Sequence, residues 1–544
     1  MREFNLIEEN WIPCVQRDGK PTEHGIRDTL LKAHELREVC DDSPLVTVAL
    51  HRLLLAILYR ACRGPKGFNA WKTLYARGAF NSGGVATYLD KWHSRFDLTG
   101  SRHPFSQMAD LQTRKAVPVT RLATECASGN NATLFDHSGD QEDVAWLPAQ
   151  TAKALVACQS FALGFGICGS ARIAGKDADV PHNFADAIAL RGMSIWLQGS
   201  TLFETLMVNL VPTDDDSLPP WEMDDPHEHR DRLKAKKRKV VTSLGVVDRL
   251  TWQSRLIRLL GNDGTFSTMY FTQGRSADKS PGDPMKVYRA SKEEGISPLP
   301  LSSGKAAWRD AHSILTIPPA DSNERRPECL NLVARARAKG GVQPDKQFLA
   351  HVVGLASAPN KAGKFLLWRH ERMPVPAALL ADPNLIERLG VLLQNAEQAA
   401  IGLNYRARRI AKLYLAPDTE SPGGRQADPD EVAKVANAVD PRPGYWARLE
   451  KHFFELLENL PADWDTKRAD WKRDDQQAAT NTWREDVKDE AKQALEESIR
   501  SLGATARAIR AVARVRTVFN DSDLMPQPQE APKEKGRAKG DKEK

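Results

Sequence analysis

Three glycines fall within six residues at Gly164-Phe165-Gly166-Ile167-Cys168-Gly169. A glycine carries no Cβ, so its backbone can come close to another molecule or to another part of the chain. Ser170, Arg172 and Lys176 follow, small and cationic rather than catalytic. The chemistry this pattern offers is contact with a polyanion through the backbone; a tight packing turn would use the same residues. A second cationic feature is the stretch 230–239, with seven Lys or Arg in ten residues. It comes just after an acidic group, Asp214, Asp215, Asp216, Asp224 and Asp225. A solvated linker and a nucleic-acid patch both fit such a charge run. A third is Arg507, Arg510 and Arg514, spaced i, i+3 and i+7 on one face of a helix. That face is open either to solvent or to phosphate.

The signatures of catalysis are missing. The chain has no G-x-x-x-x-G-K-[ST] phosphate loop, no H-E-x-x-H zinc pair and no G-x-S-x-G nucleophile elbow. His227-Glu228-His229 could bind a metal, but in a polar, Asp-rich stretch it fits a surface loop. Gly164-Phe165-Gly166 is not a dinucleotide fingerprint, which needs a third glycine opening a helix and a later acidic residue. These absences weaken an enzymatic reading without excluding it, because catalytic residues can be scattered; no cofactor and no metal is expected.

Size and composition bound the class. At 544 residues, 41% hydrophobic and 27% charged, the chain is long enough for two or more domains. A formal net charge of +6 is compatible with nucleic acid without demanding it. Seven cysteines are dispersed at 14, 40, 62, 126, 158, 168 and 329. No pair is spaced C-x-x-C, which argues for a reducing cytoplasm and against a disulfide framework or structural zinc. The N-terminus, Met1-Arg2-Glu3-Phe4-Asn5, has no apolar signal region. Leu45 to Cys62 is interrupted by His51, Arg52 and Arg60, so it reads as a core helix, not a membrane span.

Periodicity divides the chain. Up to about residue 375 the pattern is mixed α/β. Met193 to Leu197 is strand-like, and Thr201-x-x-Glu204 resembles a capping box ahead of Leu202, Leu206 and Leu210. Asp382-Pro383 is a helix start, because proline lacks the amide that would go unpaired there. Leu385, Leu389, Leu392, Ala396, Ala400 and Leu403 form one apolar stripe, with Arg406, Arg408, Arg409 and Lys412 on the remainder of that helix. Trp446, Leu449, Phe453, Leu456 and Leu460 form a second. Trp483, Val487, Ala491, Ala494 and the 499–519 segment form a third, and a short helix at 430–438 completes the set. The predicted fold is α+β: a large mixed N-terminal domain over 1–375, a C-terminal four-helix bundle over 376–522, and a disordered charged tail over 523–544.

Ordered islands carry a family resemblance. They are Asn5 to Pro13, His103-Pro104-Phe105-Ser106-Gln107, Gly129 to His137 and the glycine turn at 164–169. Trp196, Asn209, Asp283-Pro284 with Tyr288, Pro298-Leu299 and Ala307-Trp308-Arg309 follow. In this order they resemble the CasA family, the large subunit of the type I-E CRISPR surveillance complex called Cascade, over nearly the whole chain.

The resemblance implies a non-catalytic subunit. Its partners would be CRISPR RNA, target double-stranded DNA, the other Cascade subunits and a helicase-nuclease effector, with no membrane. Members read the short motif flanking the target (the PAM), help open the duplex for R-loop formation and recruit the nuclease. Gly164, Phe165 and Gly166, with Gly169 close behind, match the loop that contacts the PAM duplex from the minor groove. That groove's degenerate edges imply loose readout. Asn360 and Lys361, just before Phe365-Leu366-Leu367-Trp368-Arg369-His370, match a strand-separating wedge, although an ordinary turn after Pro359 fits the same residues. Family members carry Asn then Gln there, and Lys361 is a poorer stacking plate than the amide. A basic finger for the minor groove falls on Arg275 or Lys279. Phe135, with Asn131 beside it, matches an aromatic that docks at the guide RNA 5′ end, or is a core Phe. Arg507, Arg510 and Arg514 would follow phosphates. Two rival readings are a structural helical scaffold without PAM readout and a metal-dependent nuclease.

Overall fold

The computed structural model describes residues 3–123, 144–164, 166–178, 180–223, 240–262, 264–278, 280–291, 295–357 and 365–516. The chain divides into two compact units, Met1–Pro383 and Asn384–Lys544.

The first unit is built on the helix Pro44–Ala61, in which every side chain from Pro44 to Tyr59 is buried. Pro44 occupies the first turn, where its missing N–H costs nothing. By length and composition this helix could cross a membrane, but 89% of it is buried within the protein, so it is a core helix. The polar residues that interrupt it have partners inside. Arg52 Nη1 donates to both carboxylate oxygens of Asp283 (3.1 and 2.8 Å), and its Nη2 donates to the Arg249 carbonyl (2.9 Å). His51 Nδ1 lies 2.8 Å from the Thr47 carbonyl.

Small antiparallel sheets surround this helix. In the longest, Gln347–Ser357 pairs with Phe365–Pro376 from Gln347↔Pro376 to Ser357↔Phe365, and with Ser194–Gln198 on its other edge. Every residue of Ser194–Gln198 is buried, as its apolar run requires. Asn209 braces that strand: its Oδ1 accepts from Leu197 N–H (3.1 Å) and its Nδ2 donates to the Leu197 carbonyl (2.7 Å). The helix Leu202–Asn209 between them is capped by Thr201 Oγ1, which accepts from Glu204 N–H (3.1 Å). Glu204 Oε2 then accepts from Ser200 N–H (2.6 Å), one residue earlier than a reciprocal capping box would have it. A second hairpin, Arg255–Asn262 with Thr265–Gln273, adds Val117–Pro118 at its edge. A third sheet joins Leu111–Thr113, Ala171–Ile173 and Lys176–Ala178. Leu111, Ala171 and Ile173 pack on Met108 and Leu256, while Gln112, Arg172 and Asp177 on the opposite face are exposed.

The second unit is helical. Its described helices are Pro383–Leu415, Pro429–Ala438, Arg442–Asn459, Ala478–Arg500 and Ala506–Arg516. All six residues of the first apolar stripe, Leu385 to Leu403, are buried. Two details depart from the sequence reading. Tyr445, not Trp446, occupies the core at the start of Arg442–Asn459, with its hydroxyl donating to the Ala396 carbonyl (3.1 Å). The third stripe is two helices, because the chain turns at Gly503, whose φ of +73° favours glycine. Trp483 packs edge-on to Phe453 and donates from Nε1 to the Leu392 carbonyl (3.1 Å). Asp463 accepts from Thr480 N–H and Oγ1–H, both at 2.8 Å, and so caps the first turn of Ala478–Arg500.

Candidate nucleic-acid interface

The glycine turn leaves the end of the helix Pro148–Phe161 and is zipped to the returning segment 182–189. Cys168 N–H donates to the His182 carbonyl (2.8 Å), Phe184 N–H to Gly166 (3.2 Å) and Ala187 N–H to Ala162 (2.9 Å). Its glycines do different jobs. A Cβ on Gly164 would lie 2.3 Å from both Asp186 N and Asp186 Oδ1 and 2.7 Å from the Ala185 carbonyl carbon. Gly164 is therefore a packing glycine, and its N–H donates to Asp186 Oδ1 (3.0 Å). Gly166 has φ +95°, with only ordinary neighbours around a built Cβ, so its backbone angle is what requires glycine. Gly169 has nothing within 4 Å of a built Cβ. Gly166, Ile167, Gly169 and Ser170 are exposed, and Ile167 shows 68% of its surface. Phe165 lies outside the described residues.

Cations flank this exposed backbone. Arg172 and Lys176 are exposed on the adjacent small sheet, and Arg114 and Lys115 follow its first strand. Arg172 is tied at the surface to the Gly175 carbonyl (2.7 Å) and to Asp177 (3.4 Å). Arg121 lies 5.2 Å from the Phe184 ring centre and 5.0 Å from that of Phe271, within cation–π range. The arrangement presents a left-handed glycine and open backbone beside several positive charges, which suits a phosphate-lined groove better than a small neutral substrate.

Arg275 does not project. Its guanidinium donates to Asp248 at 2.5 and 3.1 Å, and sits 3.6 Å from the Trp252 ring centre. With 10% of its side chain exposed, it is held in an ion pair here, and acting as a basic finger would require that pair to open. The segment carrying it does meet the strand of chain that returns along the glycine turn, since Ala185 N–H donates to Gln273 Oε1 (2.7 Å). A cleft of about 270 Å³ beside them is lined by Asp186, Arg191, Arg249, Ser276, Asp278 and Ser280, among others. Burial works to raise the Asp278 carboxyl, but the Ser280 hydroxyl and other donors with Arg249 hold it below its ordinary range. Lys279 lies outside the described residues, as do Asn360, Lys361, Asn131, Phe135, the 230–239 run, His227-Glu228-His229 and the 523–544 tail.

The sheet that leads to 358–364 carries a polar cluster that sequence reasoning missed. His351 Nδ1 is 2.8 Å from His370 Nε2, and His351 Nε2 is 2.6 Å from Gln198 Oε1. Gln198 Nε2 in turn donates to Glu38 (3.0 Å). Trp196 stacks on His351 at 4.5 Å. Burial pushes His351 down to about 2, His370 to about 4 and His51 to about 4, so all three are neutral at pH 7. Strand pairing brings His351 and His370 close, the core helix brings His51 to 5.3 Å from the Trp196 ring, and no local motif announces either.

In the second unit Arg507, Arg510 and Arg514 are exposed opposite the buried Ala508, Ala511, Val512 and Val515. Arg514 also donates to the Pro417 carbonyl (2.7 Å). Arg406 is buried rather than part of a surface cluster, and Arg409 forks to Glu420 at 2.7 and 3.1 Å.

Comparison with known proteins agrees over almost the whole chain. A family profile described as CRISPR-associated protein Cse1 matches residues 5–494. CasA/Cse1 of Thermus thermophilus is 31% identical over 521 residues, covering 94% of this chain and 96% of that one. A crystal structure of Thermus thermophilus CasA superposes with a TM-score of 0.76 at 29% identity, covering 95% of this chain and 98% of that one. Thermobifida fusca Cse1 shares the fold, with a TM-score of 0.75 at 23% identity over 96% of this chain and 97% of that one. So does a chain of a CRISPR RNA-guided surveillance complex, at 0.71 and 21% over 95% and 99%.

Proposed function

The chain belongs to the Cse1 family of CRISPR-associated proteins, and on that premise we propose that it is the large, non-catalytic subunit of a type I-E surveillance complex. It reads the motif flanking the target, helps open the duplex and recruits a helicase-nuclease. Guide RNA pairing reads the target sequence in such a complex, so protein need read only the flank and the DNA shape. The observation that supports flank reading most is the exposed, left-handed Gly166 with open Gly169, beside Arg121, Arg172 and Lys176. A minor-groove edge offers few distinguishing groups, so backbone contact there gives tolerant readout.

Asn360 and Lys361 form the wedge in this reading. Strand separation costs about 1.4 kcal/mol per base-pair step, so a wedge nucleates a step or two before guide pairing takes over. Lys361→Ala then weakens binding to duplex targets more than to pre-opened ones; equal loss on both removes the wedge role.

The experiment for the whole reading is binding of the reconstituted guide-RNA complex, with and without this chain, to duplexes carrying a randomised flanking trinucleotide. Flank preference that appears only with the chain supports the reading. Identical preference without it leaves a scaffold.

A further inference from the structure

The glycine turn is held by a buried arginine that no motif singles out. Arg255 is 1% exposed. Its Nη2 donates to two carbonyls from separate segments, Leu163 (2.7 Å) and Ala185 (2.8 Å). Its Nη1 donates to the Ser254 carbonyl (2.9 Å) and to Gln273 Oε1 (3.3 Å). Leu163 precedes Gly164, and Ala185 precedes Asp186, whose Oδ1 accepts the Gly164 N–H. Gln273 Oε1 also accepts from Ala185 N–H (2.7 Å). Gln159, near the end of the helix that launches the turn, clamps Arg255 at both its backbone N–H (2.9 Å) and carbonyl (3.0 Å).

A buried guanidinium is expensive to hold, and burial pushes Arg255 down to about 10. Among the described residues no carboxylate makes an ion pair with it; carbonyl dipoles, the Phe184 ring 5.1 Å away and the field of the Asp186 carboxylate stabilise it. An apolar side chain would fill this volume at lower cost. What arginine supplies is a rigid planar guanidinium whose Nη2 fixes two carbonyls at once while its Nη1 is held by Ser254 and Gln273.

We propose that Arg255 is a positioning residue for flank readout: its fork sets the spacing of Leu163 and Ala185, and through them the direction in which Gly166 to Gly169 present their backbone. This rests on the reading that the turn contacts the flanking duplex.

The test uses the reconstituted complex with the wild-type chain, Arg255→Lys or Gly166→Asp. Lysine keeps the charge but cannot hold both carbonyls in one plane. Three quantities are read: the affinity ratio of accepted to rejected flanks, affinity for a pre-opened target, and amide exchange over residues 163–169. For Arg255→Lys the ratio falls at least about tenfold and exchange in the turn rises, while pre-opened affinity is unchanged. A merely structural role would lower both affinities together and leave the ratio intact. If Gly166→Asp removes flank preference and Arg255→Lys does not, the turn reads the flank but Arg255 does not position it. If neither variant changes the ratio, the flank-reading role falls and the inference with it. Should Arg255→Lys fail to assemble, Gln273→Leu removes the acceptor shared by Arg255 Nη1 and the Ala185 N–H, and so loosens the same clamp while keeping the arginine. The same fall in ratio is expected of it, and an unchanged ratio overturns the proposal.

Discussion

Replacing the three glycines one at a time by alanine separates those the fold needs from those a ligand would need. At Gly164 the new methyl would stand 2.3 Å from Asp186 N and Oδ1 and 2.7 Å from the Ala185 carbonyl carbon. The carboxylate can swing away, but the backbone is pinned by Arg255 and Gln273. Overpacking of this kind costs about 2–3 kcal/mol. At Gly166 there is room, and the cost is the left-handed backbone, φ +95°, about 1–2 kcal/mol for an L-residue. At Gly169 neither term applies, so alanine changes stability by less than about 0.5 kcal/mol, with a small gain from the stiffer unfolded chain. Urea denaturation of the three variants therefore gives the order 164, 166, 169, largest loss first. Binding reverses the emphasis: Gly169→Val leaves stability near wild type yet weakens duplex binding by about tenfold, because a branched side chain stands where the groove must approach. A Gly164→Ala variant as stable as wild type, or a Gly169→Ala variant as damaged as Gly164→Ala, would refute this division of roles.

Three further outcomes follow from the same geometry. Asp283→Asn leaves the buried Arg52 without its charge partner, and denaturation should show a loss of about 3–5 kcal/mol; a loss below about 1 kcal/mol would mean the pair is not holding the core. His51 is neutral when folded, its pKa depressed to about 4 by burial, so the unfolded state binds more protons between roughly pH 6.5 and 4, and stability falls as pH drops through that window. At pH 5 this contributes about 2 kcal/mol, and a His51→Gln variant should lose that much less than wild type between pH 7 and pH 5. Replacing Arg507 and Arg510 by alanine should flatten the salt dependence of DNA binding by about 0.9 log units per lost phosphate contact, and an unchanged slope would return that helix face to solvent.

How much the sequence reveals depends on whether a feature is local. The helices of the second unit are legible because their stripes repeat every three to four residues and one face meets a core. Adjacent aromatics defeat that logic: Tyr445 and Trp446 both suit the stripe, and only packing against Ala396 decides. The glycine turn is visible as composition, but composition cannot tell Gly164, which the chain itself crowds, from Gly169, which it does not. Arg275 reads as a free cation because Asp248 and Trp252 lie more than twenty positions away, and Arg255, Gln159 and Gln273 are invisible for the same reason. Several residues that carry the family resemblance are structural. Trp11 Nε1 donates to the Leu6 carbonyl (2.8 Å), Asn5 accepts from Ile7 N–H (3.0 Å), Asn209 braces a strand and Asp283 holds Arg52. They mark the fold, so they identify the family more surely than they locate its site.

The central claim is that exposed backbone at the glycine turn reads the DNA beside the target. The direct measurement is the affinity of the reconstituted guide-RNA complex for duplexes that differ only in the flanking trinucleotide, with the wild-type chain and with Gly166→Asp. The account predicts that aspartate, adding a negative charge and a strained backbone against the groove, erases the difference between flanks while the complex still assembles and binds pre-opened target. Flank preference that survives Gly166→Asp in an assembled complex would contradict it.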